Sequence, residues 1–171
     1  MKLAALLVTT PFRPVMEIKK VTDGVYYGAV PRADCDYRQL QALGIKTLID
    51  GRKFRKRTSS EEASLAPVYG MTYRHIEMGF RPTRDFAPES VLRIAADPAV
   101  QPVYFHCKLG RDRAALIAAL YRVRFLGWSP DAAYALMRSE RFNPFLFDLR
   151  RYFWRYTRGA AAPDPGIDHG Q

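Results

Sequence analysis

Residues Pro102–Arg113 read PVYFHCKLGRDR, and the fold prediction starts from them. The first five residues form a short apolar run typical of a buried strand, and Arg113–Leu126 repeats apolar residues at helical spacing. The turn between them carries Cys107 and Arg113 in the pattern Cys-x5-Arg. A strand, a short turn and a helix in this order predict one unit of an α/β sheet.

Strand and helix patterns alternate on both sides of this stretch. We expect the first two strands to form a hairpin around Asp23-Gly24, a dipeptide that favours tight turns. Strands are predicted at Met16–Val21, Val25–Ala29, Ile45–Asp50 and Thr72–Met78. The alternation predicts the α/β class, a three-layer sandwich with a central, mostly parallel sheet flanked by helices. In such sheets the loops at the carboxyl ends of the strands converge on one rim, where ligands bind.

Capping residues predict where the helices begin. Asp36 is expected to cap a helix that Gly44 ends, and Ser59-x-x-Glu62 has the spacing of a capping box. A further helix is predicted near Pro88. Two more are predicted at Pro130–Arg141 and Pro144–Tyr156, each opened by a capping side chain and a proline.

Length and composition indicate a single globular domain. The chain has 171 residues, of which 48% are hydrophobic and 26% charged. We expect an N-terminal extension at 1–15, a folded domain at 16–158 and a disordered tail at 159–171, rich in proline and glycine. The apolar run Leu3–Val8 is far shorter than a membrane-spanning helix. We expect a cytoplasmic protein, with an export signal as the alternative.

Charge and cysteine content narrow the function classes. With 27 basic and 17 acidic residues the formal charge is +10, which favours anionic partners. Only Cys35 and Cys107 are present, too few for a disulfide framework. Cys35 is read either as a resolving thiol for Cys107 or as an ordinary structural cysteine.

The loop after the strand has the features of a phosphate site. Backbone N–H groups and the dipole at the start of the helix create a nest for a dianion, and Gly110 allows a close backbone approach. Arg113 can donate to two phosphate oxygens at once. The same positive field is expected to stabilise a thiolate at Cys107, which makes this residue a candidate nucleophile.

These residues resemble the His-Cys-x5-Arg active-site loop of cysteine-dependent protein tyrosine and dual-specificity phosphatases. Three further stretches, VYYGAVP from Val25, GIKTLIDGR from Gly44 and YRVRFLGWSPDAA from Tyr121, follow the order seen in compact atypical members from bacteria, plants and fungi. The resemblance implies a phosphatase that needs no metal or other cofactor. Cys107 would form a cysteinyl-phosphate, and Arg113 would hold its oxygens. His106 would order the loop, and Lys108, Leu109, Gly110 and Arg111 would contact the substrate.

The general acid has two candidates. The resemblance implies an Asp from a loop upstream of the cysteine, and Asp85 is the carboxylate of that loop, Gly79–Ala87. Asp112, inside the Cys-x5-Arg turn, is the alternative. The chain also has Ala114 where many relatives have Ser or Thr, which is expected to slow breakdown of the intermediate.

Basic residues gather around the expected rim. Arg52 is the first basic residue of the run GRKFRKR, which starts at Gly51, and Arg81 and Arg84 lie in the loop that holds Asp85. Several cations around one pocket favour substrates with several phosphates, phosphoinositides or inositol polyphosphates. Phosphoproteins are the alternative substrate, and a non-catalytic module that binds phosphates or polyanions is the alternative function. An anionic membrane is expected as a further partner, through peripheral contact, and nucleic acid is not expected to bind. We also expect the protein to be a monomer.

Overall fold

The structure, a computed structural model, describes residues 16–53, 56–81 and 86–159. The expected extension 1–15 and the chain beyond residue 159 lie outside this range. The strands are β1 (Ile18–Thr22), β2 (Val25–Gly28), β3 (Thr47–Asp50), β4 (Thr72–His75) and β5 (Val103–His106). The helices are α1 (Asp34–Ala42), α2 (Lys56–Val68), α3 (Phe86–Ala96), α4 (Arg113–Leu126), α5 (Pro130–Ser139) and α6 (Phe147–Gly159), with a 3-10 turn at Pro98–Val100.

The five strands form one sheet in the order β1-β2-β5-β3-β4. β1 and β2 are antiparallel and meet at the Asp23-Gly24 turn, as predicted. β2, β5, β3 and β4 run parallel to one another. The predicted mostly parallel α/β sheet is therefore confirmed.

Both faces of the central strands are buried. Val103 and Phe105 of β5 pack into a cluster formed with α3, α4, α5 and α6. Tyr104, which points to the other face, packs with Leu40 of α1 and Ala66 of α2. This burial on two sides explains why these strands are apolar runs rather than alternating ones.

α4 is the central helix of the domain. Its residues are buried without interruption from Arg113 to Arg122, because it packs against β2, β5, α3, α5 and α6. It ends at Gly127, which has the left-handed φ of +67° that favours glycine at this position. The predicted bounds of this helix are confirmed.

Two predicted helix starts are wrong. α1 begins at Asp34, and Asp36 lies in its first turn, where its carboxylate accepts the N–H groups of Arg32 at 2.8 Å and Ala33 at 3.1 Å. The side chain therefore reaches back to the preceding chain instead of occupying the cap position itself. α2 begins at Lys56, so the Ser59-x-x-Glu62 spacing lies inside the helix and does not cap it.

The last helix also begins later than predicted. Asn143 does not open it, because the Asn143 side chain accepts the N–H of Phe145 at 3.0 Å and forms a local turn. α6 starts after this turn, at Phe147.

Within the described residues, no helix combines the length and apolar character that crossing a membrane requires.

Candidate active site

The carboxyl ends of the parallel strands form one row. Gly28 of β2 and Asp50 of β3 both pair with His106 of β5, and His75 of β4 pairs with Asp50. The segments that follow these residues therefore start side by side, as the topology predicted.

The loop from Cys107 to Asp112, here called the Cys loop, joins β5 to α4 and lies against the end of β2. Leu109 forms a bridge with Ala29. Gly110 has a φ of +69°, and a Cβ atom there would come within 2.2 Å of the carbonyl carbon of Gly28. Both the backbone conformation and the close approach require glycine at this position.

Arg113 begins α4 and is held by the segments after β3 and β4. Its Nη1 donates to the carbonyls of Gly51 at 3.2 Å and Met78 at 3.0 Å. The guanidinium also lies 4.5 Å from the ring centre of Phe80. The Arg113 Nε is buried and has no hydrogen bond among the described residues, so it keeps a donor for the oxygen of an anion.

His106 connects the Cys loop to α2. Its Nδ1 is 3.2 Å from the carbonyl oxygen of Cys107, and its Nε2 is 2.6 Å from Oε1 of Glu62. The second contact is close but lacks the alignment of a hydrogen bond, and it is an ion pair only when the ring is protonated. Both ring nitrogens therefore face acceptor oxygens, and the histidine, Glu62 and Cys107 are buried together.

Arg52 contacts two buried carboxylates near this histidine, those of Asp50 and Glu62. It donates to Asp50 at 2.8 Å from Nε and at 2.7 Å from Nη2, and Nη2 also contacts Glu62. Tyr73 donates to the same Asp50 carboxylate at 2.9 Å. Asp50, Arg52, Glu62 and His106 are called the buried network below.

The network changes the ionisation of its members. Burial raises the pKa of Asp50, but the bonds from Arg52 and the nearby charge of His106 outweigh burial and bring that pKa down to about 2. Burial likewise lowers the pKa of Arg52, but the two carboxylates raise it by more. The Arg52–Asp50 pair is therefore ionised at neutral pH.

The same network brings together three possible metal ligands. One ligand atom from each of Asp50, Glu62 and His106 lies within 4.8 Å of the others. The Arg52 guanidinium, however, already bonds both carboxylates. It supplies the positive charge that a metal ion would bring, so this cluster does not fit a metal centre.

A cleft of about 790 Å³ opens beside the Cys loop. Among the described residues that line it, five are basic and three acidic, which gives a positive site with an apolar side. The basic ones are Arg32, Arg52, Lys53, Lys108 and Arg113, the acidic ones Glu61, Glu62 and Glu77, and the others Val30, Pro31, Tyr37, Leu65, Gly79 and Phe80.

The predicted site residues divide into those that meet at this cleft and those that do not. Lys108 and Arg113 line it, while Leu109 is exposed in the Cys loop. Arg52 lines it too, but its charge is matched by the buried carboxylates, so its predicted contact with substrate stays a prediction. Arg81 is exposed and pairs with Asp148 at 3.4 Å.

The two acid candidates differ in what the structure describes. Asp85 and Arg84 lie outside the described residues. Asp112 accepts the N–H of Asn143 at 3.0 Å through one oxygen and contacts Nε of Arg111 at 3.3 Å through the other. These contacts tie the Cys loop to the turn before α6.

Sequence reasoning missed two residues at the site. The sequence places Glu62 in a capping-box pattern, and its contact with His106 is seen only once the inward-facing side of α2 is known. Arg32 lines the cleft from the segment after β2 and carried no motif. Cys35 is exposed on α1 and Cys107 is buried, and both are free cysteines.

Known proteins resemble this chain in sequence. A scan against models of known protein families finds no match. The dual specificity protein phosphatase TpbA of Pseudomonas aeruginosa is 31% identical over 150 residues, which are 86% of this chain and 64% of that protein. The chain thus spans less than two-thirds of that relative. The human phosphatidylglycerophosphatase and protein-tyrosine phosphatase 1 is 25% identical over 154 residues, covering 85% and 77% of the two chains.

Solved structures show the same fold. The crystal structure of TpbA superposes with a TM-score of 0.68 at 26% identity, over 85% of this chain and 86% of that one. The catalytic core of the PP-IP phosphatase SIW14 from S. cerevisiae has a TM-score of 0.69 at 17% identity, over 84% and 87%. The chain therefore belongs to the cysteine-dependent, dual-specificity-phosphatase-like superfamily.

Proposed function

We propose that the protein hydrolyses phosphate monoesters through a cysteinyl-phosphate intermediate. The observation that carries this proposal is the carbonyl-held guanidinium of Arg113, which closes a Cys-x5-Arg turn beside a positive cleft. Because its partners are neutral carbonyls, this guanidinium keeps its full charge for a phosphate dianion.

The reaction has two steps. The Cys107 sulfur attacks phosphorus, the ester bond breaks, and the alcohol oxygen leaves with a proton from a general acid. Water then attacks phosphorus, gives a proton to the carboxylate that the general acid became in the first step, and breaks the sulfur–phosphorus bond, which releases inorganic phosphate and the thiolate. Arg113 and the N–H groups of the Cys loop stabilise the equatorial oxygens in both steps, which is the contribution a metal makes in other phosphatases.

The general acid in this proposal is Asp85, with Asp112 as the alternative. The bonds of Asp112 to Asn143 and Arg111 support a structural role for it. The acid is identified by comparing aryl phosphates whose leaving groups differ in basicity. Loss of the general acid slows hydrolysis of esters with basic leaving groups and leaves hydrolysis of esters with acidic leaving groups unchanged. We expect this pattern for Asp85→Asn, and finding it only for Asp112→Asn would reverse the assignment.

The favoured substrates are phosphoinositides or inositol polyphosphates. Besides Arg113, the cleft presents Arg32, Lys53 and Lys108, and several cations suit several phosphates. The names of the human phosphatidylglycerophosphatase and the yeast PP-IP phosphatase lend support from relatives. The alternative, a phosphoprotein, draws on the name of TpbA and on the rings of Tyr37 and Phe80, which suit a phosphotyrosine side chain.

Phosphate release from a substrate panel separates these classes. The panel holds soluble inositol phosphates, phosphoinositides in vesicles and phosphotyrosine peptides. Lys53→Ala is the test variant, and Lys46→Ala is its control, because Lys46 is exposed just before β3, at the amino end of the sheet. We expect Lys53→Ala to slow the polyphosphates more than the peptide. If Lys53→Ala hydrolysed every substrate in the panel as fast as Lys46→Ala does, the polyphosphate assignment would be contradicted.

The alternative function is a module that binds phosphates without hydrolysing them, and Ala114 in place of a hydroxyl residue favours it. An assay with an aryl phosphate distinguishes an active phosphatase from a module that only binds phosphate. We expect hydrolysis that is blocked by vanadate and lost in Cys107→Ser. Vanadate binding by a wild-type protein that releases no phosphate would establish the binding module instead.

A further inference from the structure

One side of α6 carries four arginines and two aromatic rings. The positions repeat at helical spacing, so they share one face, and together they line a shallow cavity of about 550 Å³. Leu149, Tyr152 and Phe153 lie on the opposite face and are buried in the core. The residues that line the cavity are Phe147, Arg150, Arg151, Trp154, Arg155 and Arg158.

This face is rich in uncompensated positive charge. Asp148, the acidic residue of the helix, pairs with Arg81 instead. Within the described part of the chain, no carboxylate forms an ion pair with Arg150, Arg151 or Arg158. The arginine face therefore attracts an anionic partner.

Exposed apolar side chains lie in the Cys loop and in the segments that contact it or the start of α4. Leu109 lies in the loop itself, and Phe80 covers the guanidinium of Arg113. Phe145 is 75% exposed and comes two residues after Asn143, whose N–H binds the loop residue Asp112.

Phe147 connects the two groups of residues. Its ring lies 6.3 Å from that of Phe145 and 5.0 Å from the guanidinium of Arg150. Arg81, the residue after Phe80, also pairs with Asp148 of α6. The exposed residues of both groups are together called the docking face: Phe80, Leu109, Phe145, Phe147, Arg150, Arg151 and Arg158.

We propose that the docking face binds the surface of an anionic membrane and so brings the Cys loop to the headgroup layer. Protruding phenylalanines insert at the boundary between headgroups and acyl chains, and neighbouring arginines bind lipid phosphates. A soluble polyanion would engage the arginines but would leave the exposed rings in water, so the combination favours a membrane. The inference rests on the proposed function in one respect: docking would bring the Cys loop to lipid phosphates, which the phosphatase would use as substrates.

Vesicle sedimentation of the full chain tests the proposal. We expect binding to vesicles of phosphatidylcholine with phosphatidylglycerol, little binding to phosphatidylcholine alone, and weaker binding at high salt. Arg151→Glu and Phe145→Ser should each lower the partition coefficient at least about fivefold, the effect expected for losing one basic or interfacial contact.

Matched controls sit at the other end of the sheet. Lys46→Glu makes the same charge change as Arg151→Glu just before β3, and Val68→Ser removes a side chain that is 73% exposed, similar to Phe145, at the end of α2. Both controls should bind vesicles like the wild type. Equal losses in controls and test variants would overturn the proposal, as would wild-type binding that ignores anionic lipid.

A second readout separates this proposal from the proposed function. Turnover of a soluble aryl phosphate should be unchanged in Arg151→Glu and Phe145→Ser. Vesicle binding by a protein without phosphatase activity would refute the function and leave docking in place. Loss of phosphopeptide turnover in Arg151→Glu with vesicle binding intact would show that the face binds proteins, and docking to membranes would be refuted.

Discussion

Replacing Glu62 with Gln should disturb the Cys loop without touching it. The side chain is buried and contacts Arg52 through one oxygen and His106 through the other. Removing one partner of a buried ion pair costs about 3–5 kcal/mol, and Gln keeps the shape and one acceptor oxygen, so we expect the lower end, about 3 kcal/mol. For a chain of this size that loss lowers Tm by about 6–12 °C.

The effect on activity follows from His106. The ring contacts the carbonyl oxygen of Cys107, so a histidine that loses its carboxylate partner allows the nucleophile to shift. A displacement of about 1 Å can cost on the order of 100-fold in rate. We therefore expect kcat/KM for an aryl phosphate to fall at least about tenfold, with a changed pH profile because the buried charges around His106 have changed.

Glu61→Gln is the matched control. Glu61 is the preceding residue of α2, also lines the cleft, and is exposed. The Glu61→Gln variant should have the same Tm and the same pH profile of activity as the wild type. Both variants are assayed well below their melting temperatures, so loss of folded protein cannot mimic the result. A Glu62→Gln protein with lowered Tm but unchanged kcat/KM would refute the positioning role, and an unchanged Tm would refute the buried network itself.

Three further predictions concern the loop, the network and the start of α4. Gly110→Ala should lower the free energy of unfolding more than Gly44→Ala, because both glycines have a φ near +70° but a Cβ at Gly44 meets no atom within 4 Å. The lowered pKa of Asp50 contributes stability above about pH 4 that is lost as pH falls towards 2, up to about 2 kcal/mol, so acid titration of unfolding should be flatter in Asp50→Asn. Ala114→Ser should raise steady-state turnover without raising the burst, while Ala115→Ser, equally buried, should do neither; an unchanged rate in Ala114→Ser would remove the idea that a missing hydroxyl limits turnover.

The sequence predicts those parts of the site that are local in the chain. β5, the Cys loop and α4 are contiguous, and their apolar patterns and the glycine at position 110 are set by neighbours within a few residues. The helix starts at Asp36 and Asn143 were misplaced for a related reason. Both side chains can bond several nearby N–H groups, and composition alone does not say which one they choose.

The buried network could not be predicted because it joins distant segments. Glu62 reaches His106 across more than forty residues, and only the packing of α2 against the sheet brings them together. A capping-box spacing and an inward-facing helical position look alike in the sequence. The burial of Glu62, rather than its spacing from Ser59, separates the two.

The two arginines at the rim show why clustered positive charge does not by itself locate an anion site. Arg52 and Arg113 both lie at the carboxyl end of the sheet, and both line the cleft. Arg52 bonds two carboxylates, so its field is largely cancelled at short range. Arg113 bonds two carbonyls, which orient the guanidinium and leave its charge in place. A phosphate dianion placed between them is therefore attracted to Arg113, and the nature of the bonding partner distinguishes the arginine that binds from the one that supports.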